Sequence, residues 1–253
     1  MPIQFDFSGK GVFVTDSATG LGQRIAGAFH ELGANVAIHD ASPVRVEKAI
    51  RELGGGSRLV AAPGDLAKTA DVEGIVQKAI SDLGRLDVLV CCAMQGSLCA
   101  VDRISEEDFG RVMGANTKKA FFTTQACVPA LRATHGAVVH VASTIGLVGG
   151  PAGAVGYATA SGATVQMTRM MALELAADGI RVNAVCPAWA ETDDSKAAPV
   201  FADYITKRSP LGRIATPGEC AAAVLYLAAP FAGYTTGATL VADGGIASGH
   251  YVG

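Results

Sequence analysis

The 253-residue chain reads as one α/β domain, a parallel sheet of about seven strands doubly wound by helices. Two observations predict this. Short, continuously apolar runs alternate along the chain with segments whose apolar residues recur every three to four positions. Strands of that kind are buried on both faces, which places helices on both sides of the sheet. No linker, repeat or low-complexity stretch interrupts the alternation, so residues 1–253 form a single domain.

Residues 12–14 are the first strand. Leu21, Ile25, Phe29 and Leu32 then share one helical face, and Gly33 ends that helix. Residues 36–38 are the second strand. Ser42 and Pro43 stand as N-cap and first residue of a helix with Val46, Ile50 and Leu53 on one side. Residues 59–61 are the third strand, and the helix from Thr69 carries Val72, Val76, Ile80 and Leu83. Residues 86–90 are the fourth strand. Ser105-Glu106-Glu107-Asp108 opens a long helix over 105–131. Strands over 138–141 and 182–185 enclose a long helix over 157–177. Thr216-Pro217-Gly218-Glu219 is a capping box, and residues 240–241 are the last strand. The long irregular stretch 187–210 has the length of a lid or interaction segment.

Composition removes several classes of function. Half of the residues are hydrophobic and 17% are charged, which excludes disorder. Twenty basic against 23 acidic residues leave a net charge of −3, without the basic surplus of a nucleic-acid binder. The longest apolar candidate, 221–233, is too short for a membrane span and contains Pro230. The first residues lack the basic and apolar regions of a secretory leader. The six cysteines form no Cys-x-x-Cys pair and read as reduced thiols, so a cytoplasmic setting is expected. Cys91, Cys92 and Cys99 have no histidine at ligand spacing, and no metal site is expected.

The first strand-to-helix turn runs Thr15-Asp16-Ser17-Ala18-Thr19-Gly20-Leu21-Gly22. Gly20 and Gly22 ahead of a helix permit a tight turn and close approach of a diphosphate to helix N–H groups. Asp40 follows the second strand, 20 positions after Gly20, where an acid binds an adenosine ribose and disfavours a 2′-phosphate. Each residue also has a plainer role open to it. The glycines let a helix pack closely on a strand, and Asp40 and Asp65 cap helices or accept loop N–H groups.

With these motifs the whole chain resembles the short-chain dehydrogenase/reductase family, a Rossmann-like fold. Thr15, Gly20 and Gly22 match its nucleotide loop, and Asp65 its adenine-binding aspartate. Asn116, Ser143 and Tyr157 match three members of its catalytic tetrad. Residues 181–187 and Asp243-Gly244-Gly245 match further family segments. On the residues alone, Ser143 and Tyr157 could simply satisfy each other as buried hydroxyls. Asn116 could mark a helix kink.

Four departures fall on the cofactor side. The lysine that the family places four residues after the tyrosine is Ser161. Moving a tyrosine from its ordinary pKa near ~10 to neutrality takes about 4 kcal/mol, and a serine supplies no Coulombic share of it. Asp16 replaces the first loop glycine, where a carboxylate about 5 Å from a phosphate charge costs about 3 kcal/mol at a dielectric near 20. Cys91-Cys92-Ala93-Met94 stands for Asn-Asn-Ala-Gly, and Met94 adds bulk beside the adenosine path. Ala188, followed by Trp189, stands where a glycine is expected. Trp189 suits lid packing or a partner contact. Lys118 and Lys119 read as a solvated helix face, and Met113, Met167, Met170 and Met171 as core or interface filler.

The resemblance therefore implies a retained scaffold with a decayed site. This is a non-catalytic subunit of a hetero-oligomeric NAD-dependent dehydrogenase that oxidises a β-hydroxyacyl-CoA. Asn116, Ser143 and Tyr157 would be a residual, non-functional tetrad, and Gly20, Gly22, Asp40 and Asp65 vestigial cofactor contacts. NAD would be held by an active sister subunit, met through helices 105–131 and 157–177 in a heterotetramer. Two other readings stand beside it: a self-sufficient NAD-dependent alcohol dehydrogenase or ketoreductase, and a cofactor-independent lyase or isomerase.

Overall fold

The computed structural model describes residues 4–92, 95, 96, 98–192 and 199–249, leaving out the side chains of 199–201. Seven strands form one sheet: β1 Gly11–Val14, β2 Asn35–Asp40, β3 Leu59–Pro63, β4 Val88–Cys92, β5 Ala137–Val141, β6 Arg181–Pro187 and β7 Thr239–Ala242. Their order is β3-β2-β1-β4-β5-β6-β7, and every pairing is parallel. The chain winds outward from β1 to β3, then crosses back to β4 and winds the other way. The order reverses between β1 and β4, and a crevice opens at the carboxyl ends of these two strands.

The helices are α1 Gly20–Glu31, α2 Pro43–Glu52, α3 Thr69–Leu83, α4 Glu106–Met113, α5 Lys119–Thr134, α6 Val155–Leu175, α7 Pro199–Arg208 and α8 Pro217–Ala228. Alternation along β1 shows why both faces are covered. Val12 and Val14 pack with Ile25 and Phe29 of α1 and Val224 and Leu227 of α8. Phe13 joins the opposite core with Val76 of α3 and Leu131 of α5. Asp87 ties the start of β4 to β1 by accepting from the Gly11 N–H at 2.9 Å, with Lys10 and Arg85 paired to it.

The structure departs from the sequence reading at three elements. The long helix over 105–131 is interrupted by a π-helical turn, Gly114–Lys118, between α4 and α5. The stretch 187–210 is not wholly irregular, because α7 forms within it. The fourth strand begins at Val88 rather than 86, since the Asp87 N–H turns to the Gly11 carbonyl. The capping box at Thr216 and Glu219 forms as the spacing predicts.

Two family segments have structural work to do. Arg181 donates to the carbonyls of Leu227 and Ala228, closing the end of α8, and Asn183 pins the β6–β7 connection through Thr235 and Ala238. Asp243 accepts from the Gly245 and Ala247 N–H groups. In β5, His140 is fully buried between Thr124 of α5 and Thr168 of α6, at 3.1 and 2.9 Å. Burial pushes its pKa down to about 4, so it sits neutral in the core. Among the described residues no helix is long and apolar enough to cross a membrane.

Candidate active site

The loop after β1 carries the first candidate residues. The Thr15 hydroxyl donates to the Cys92 carbonyl and accepts from the Cys92 N–H, both at 3.0 Å, which locks β1 to β4 at the crevice. Asp16 follows with φ 47°, a left-handed conformation that usually favours glycine. Gly20 is also left-handed, with φ 57°. A Cβ at Gly22 would collide with the Asp16 carbonyl oxygen. Helix packing alone therefore demands a glycine there, whatever the loop binds.

Asp16 does not present an isolated negative charge. The Lys119 ammonium, arriving from α5, ion-pairs with its carboxylate. This corrects the solvated-face reading of Lys119, whose side chain is only 6% exposed, while Lys118 is exposed. The signal was present in the sequence: Lys119, Thr123, Cys127 and Leu131 lie on one row of a helix, and all four are buried. The pairing also removes the basis of the simple repulsion argument at Asp16, because the nearest unit charge to this carboxylate is of opposite sign. The Asp16 N–H donates to His39 Nδ1 at 3.0 Å, and the Ser17 N–H to the His39 carbonyl at 2.8 Å. His39 Nε2 therefore carries the proton and donates to the Gly64 carbonyl at 3.0 Å. Burial lowers the His39 pKa, and the ring stays neutral.

Asp40 ends β2 at the same rim. Its Oδ1 accepts from the Ser42 N–H at 2.7 Å and from Arg45 Nε and Nη2 at 2.9 and 2.6 Å. A guanidinium thus already pairs with one oxygen of this carboxylate. Asp65 accepts from the Ala67 N–H at 3.0 Å, an aspartate turn before α3. Met94 lies outside the described residues.

The three residues that match the family's tetrad lie in the π-helical turn, after β5 and on α6. Asn116 sits in the π-helical turn, where its amide donates to the Gln95 and Val112 carbonyls at 2.7 Å each and its oxygen accepts from the Gln95 N–H. It clamps the segment after β4, and Gly96 in that segment lies against the Tyr157 ring, where an added Cβ would be 3.4 Å away. Ser143 is buried and donates to the Pro187 carbonyl at 3.3 Å. The Tyr157 hydroxyl is buried without a well-formed hydrogen bond among the described residues. Burial pushes its pKa up to about 12, and the nearby Ser143 and Ser161 hydroxyls offset this only in part. Ser161 is buried one turn further along α6 and lines a cavity of about 10 Å³ with Cys91, Asn116 and Thr164. That is space for one water at most.

Trp189 is half-buried and lines a separate pocket of about 490 Å³ with Ile205, Leu211, Ile214 and Val241. None of Asp16, Ser143 or Tyr157 lines it. Met171 packs in the core, while Met170 is half exposed on α6.

A doubly wound parallel sheet with a glycine-bearing first turn and a serine–tyrosine pair above β5 defines a dinucleotide-type oxidoreductase scaffold. A family model described as enoyl-(acyl carrier protein) reductase matches residues 16–247. Meso-2,3-butanediol dehydrogenase of Serratia marcescens is 35% identical over 94% of this chain and 95% of its own. The (2S)-[(R)-hydroxy(phenyl)methyl]succinyl-CoA dehydrogenase subunit BbsD of Thauera aromatica is 34% identical over 92% of this chain and 94% of its own. A short-chain type dehydrogenase/reductase from Mycobacterium marinum superposes with a TM-score of 0.91 at 32% identity, covering 96% of this chain and 97% of that one. The chain belongs to the short-chain dehydrogenase/reductase family, a family of oxidoreductases that generally use NAD(P).

Proposed function

We propose that this chain is a non-catalytic subunit of a hetero-oligomeric NAD-dependent dehydrogenase, with the chemistry carried by a sister chain. The observation that carries the reading is the state of Tyr157. Removing an alcohol proton in step with hydride loss requires a base, and a phenol with a pKa of about 12 is ionised to only about 1 part in 10,000 at pH 8. The position one turn away, which would have to supply a positive charge, holds the neutral Ser161. Ser143, which would orient a carbonyl, is turned to the Pro187 carbonyl.

The residues around the crevice do not fit a bound dinucleotide well. Arg45 engages one oxygen of Asp40, and the Asp16–Lys119 pair places a carboxylate in the first turn with its own counter-charge. Gly20 keeps the loop geometry of the family, and Gly22 is accounted for by packing. In this reading NAD belongs to the sister subunit.

The sister is a family member with an intact Tyr-x-x-x-Lys, docked through α4, α5 and α6. Phe121, Met170 and Leu173 stand 39%, 48% and 73% exposed on α5 and α6, apolar surface that a docked chain would cover. The relative BbsD is by its name a subunit of a (2S)-[(R)-hydroxy(phenyl)methyl]succinyl-CoA dehydrogenase, and the proposal carries that setting to this chain: a β-hydroxyacyl-CoA of the 2-[hydroxy(phenyl)methyl]succinyl-CoA type, oxidised to the ketone. Native mass spectrometry after co-expression with such a sister tests the proposal. A mixed tetramer is expected, with turnover only in the mixture. Turnover of the β-hydroxyacyl-CoA with NAD by the isolated chain would establish a self-sufficient dehydrogenase instead.

A further inference from the structure

We infer that the Asp16–Lys119 pair is a built-in occupant of the phosphate loop, and that the commitment of Lys119 to Asp16 decides whether this crevice can take a diphosphate. The inference deepens the proposed function and rests on it. It departs from simple repulsion, because the loop carries a matched pair of charges.

Three observations converge on the pair. First, Lys119 is buried along its length and spans 103 positions of sequence to reach one carboxylate. A buried ammonium requires a partner, and among the described residues Asp16 is its ion-pair partner. Second, Asp16 is held in a left-handed backbone conformation from several sides. His39 accepts its N–H, Lys119 takes its carboxylate, and α1 at Gly22 presses on its carbonyl. Third, the N–H groups of Asp16 and Ser17 are both spent on His39, which is itself pinned by Gly64. The start of the loop is thus closed by internal partners.

A diphosphate entering this loop meets one of two situations. If Lys119 stays on Asp16, the ligand finds no net positive charge there. If Lys119 turns to the phosphate, Asp16 is left unpaired beside the ligand. Either way the pair competes with the ligand for the same ammonium. Removing only the Asp16 charge releases that ammonium, which then becomes a phosphate ligand. Removing only Lys119 leaves a carboxylate facing the site and closes it further.

The test uses the whole chain and two probes, ADP-ribose and inorganic pyrophosphate, with calorimetry for binding and thermal melting for stability. Asp16→Asn keeps a residue that tolerates the left-handed backbone, and Lys119→Met keeps the bulk of the side chain. Wild type and Lys119→Met are expected to show no saturable binding at millimolar probe. Asp16→Asn is expected to bind both probes, on the order of 10- to 100-fold more tightly than Asp16→Asn/Lys119→Met, as one charge-assisted hydrogen bond allows. Each single variant is expected to melt lower than wild type, and the double variant higher than the sum of the two losses implies. Saturable binding by wild type would overturn the inference. Additive melting shifts, or Asp16→Asn that binds no better than wild type, would also overturn it while leaving the inactive-subunit reading intact. Turnover by the isolated wild-type chain would sink that reading instead.

Discussion

The environment of Tyr157 leads to a measurable consequence. Its phenol has a pKa of about 12, two steps of tenfold above an ordinary tyrosine, because the folded chain removes it from water and supplies no cation. Ser161→Lys restores a positive charge one helical turn away. An ammonium about 5 Å from the phenol oxygen contributes about 3 kcal/mol at an effective dielectric near 20. At about 1.4 kcal/mol per pH unit, that lowers the pKa by a little over two units, to about 10. The assay is an alkaline titration of the phenolate band in the near ultraviolet. The chain has five tyrosines, so the Tyr157 signal is taken as the difference from Tyr157→Phe, with far-ultraviolet dichroism confirming that the fold persists. Wild type should show no Tyr157 phenolate up to about pH 11, and Ser161→Lys should show it about two units earlier. A wild-type Tyr157 signal near neutral pH would refute the reasoning, because the residue would then be poised as a base without the lysine.

Two further outcomes follow from buried groups. His140 has a folded pKa of about 4 against 6.5 for the free side chain, so the unfolded chain binds more protons between these values. Stability is therefore full above about pH 6.5 and falls as the pH drops toward 4, by about 2 kcal/mol at pH 5. Denaturant midpoints at pH 7 and pH 5 should show the loss in wild type and a smaller one in His140→Gln, the buried His39 keeping a share of the same sign. Gly22→Ala should lower the melting temperature by roughly 2–12 °C, from an overpacking cost of ~1–3 kcal/mol in a domain of this size. An unchanged melting curve would show that α1 can move away from the Asp16 carbonyl.

Much of this molecule was legible from the order of its residues. The central strands were readable because a parallel strand buried on both faces must be largely apolar, as Val12, Phe13 and Val14 are, while the edge strands β3 and β7 are only partly covered. Helix starts at Ser42, Ser105 and Thr216 were readable because capping is local chemistry. α7 was not recognised, although Val200, Phe201, Tyr204 and Ile205 recur at helical spacing, because the segment lies inside a long stretch between strands that reads as a loop by its length. The π-helical turn at Asn116 was not, because one extra residue in a helix leaves the apolar spacing nearly unchanged.

The candidate site divides in the same way. That Ser161 and Asp16 stand where the family pattern carries a lysine and a glycine was legible from the resemblance, by their spacing from Tyr157 and from Gly20. What those replacements do was decided in three dimensions. Lys119 lies 103 positions from Asp16, and no local rule pairs them. Only the packing of α5 against β4 brings the ammonium to the loop after β1. Arg45 on Asp40, His39 under Asp16 and Gly96 over Tyr157 are likewise products of where the strands end. Periodicity and capping are short-range consequences of backbone geometry, whereas charge compensation depends on which distant segments the folded core sets side by side.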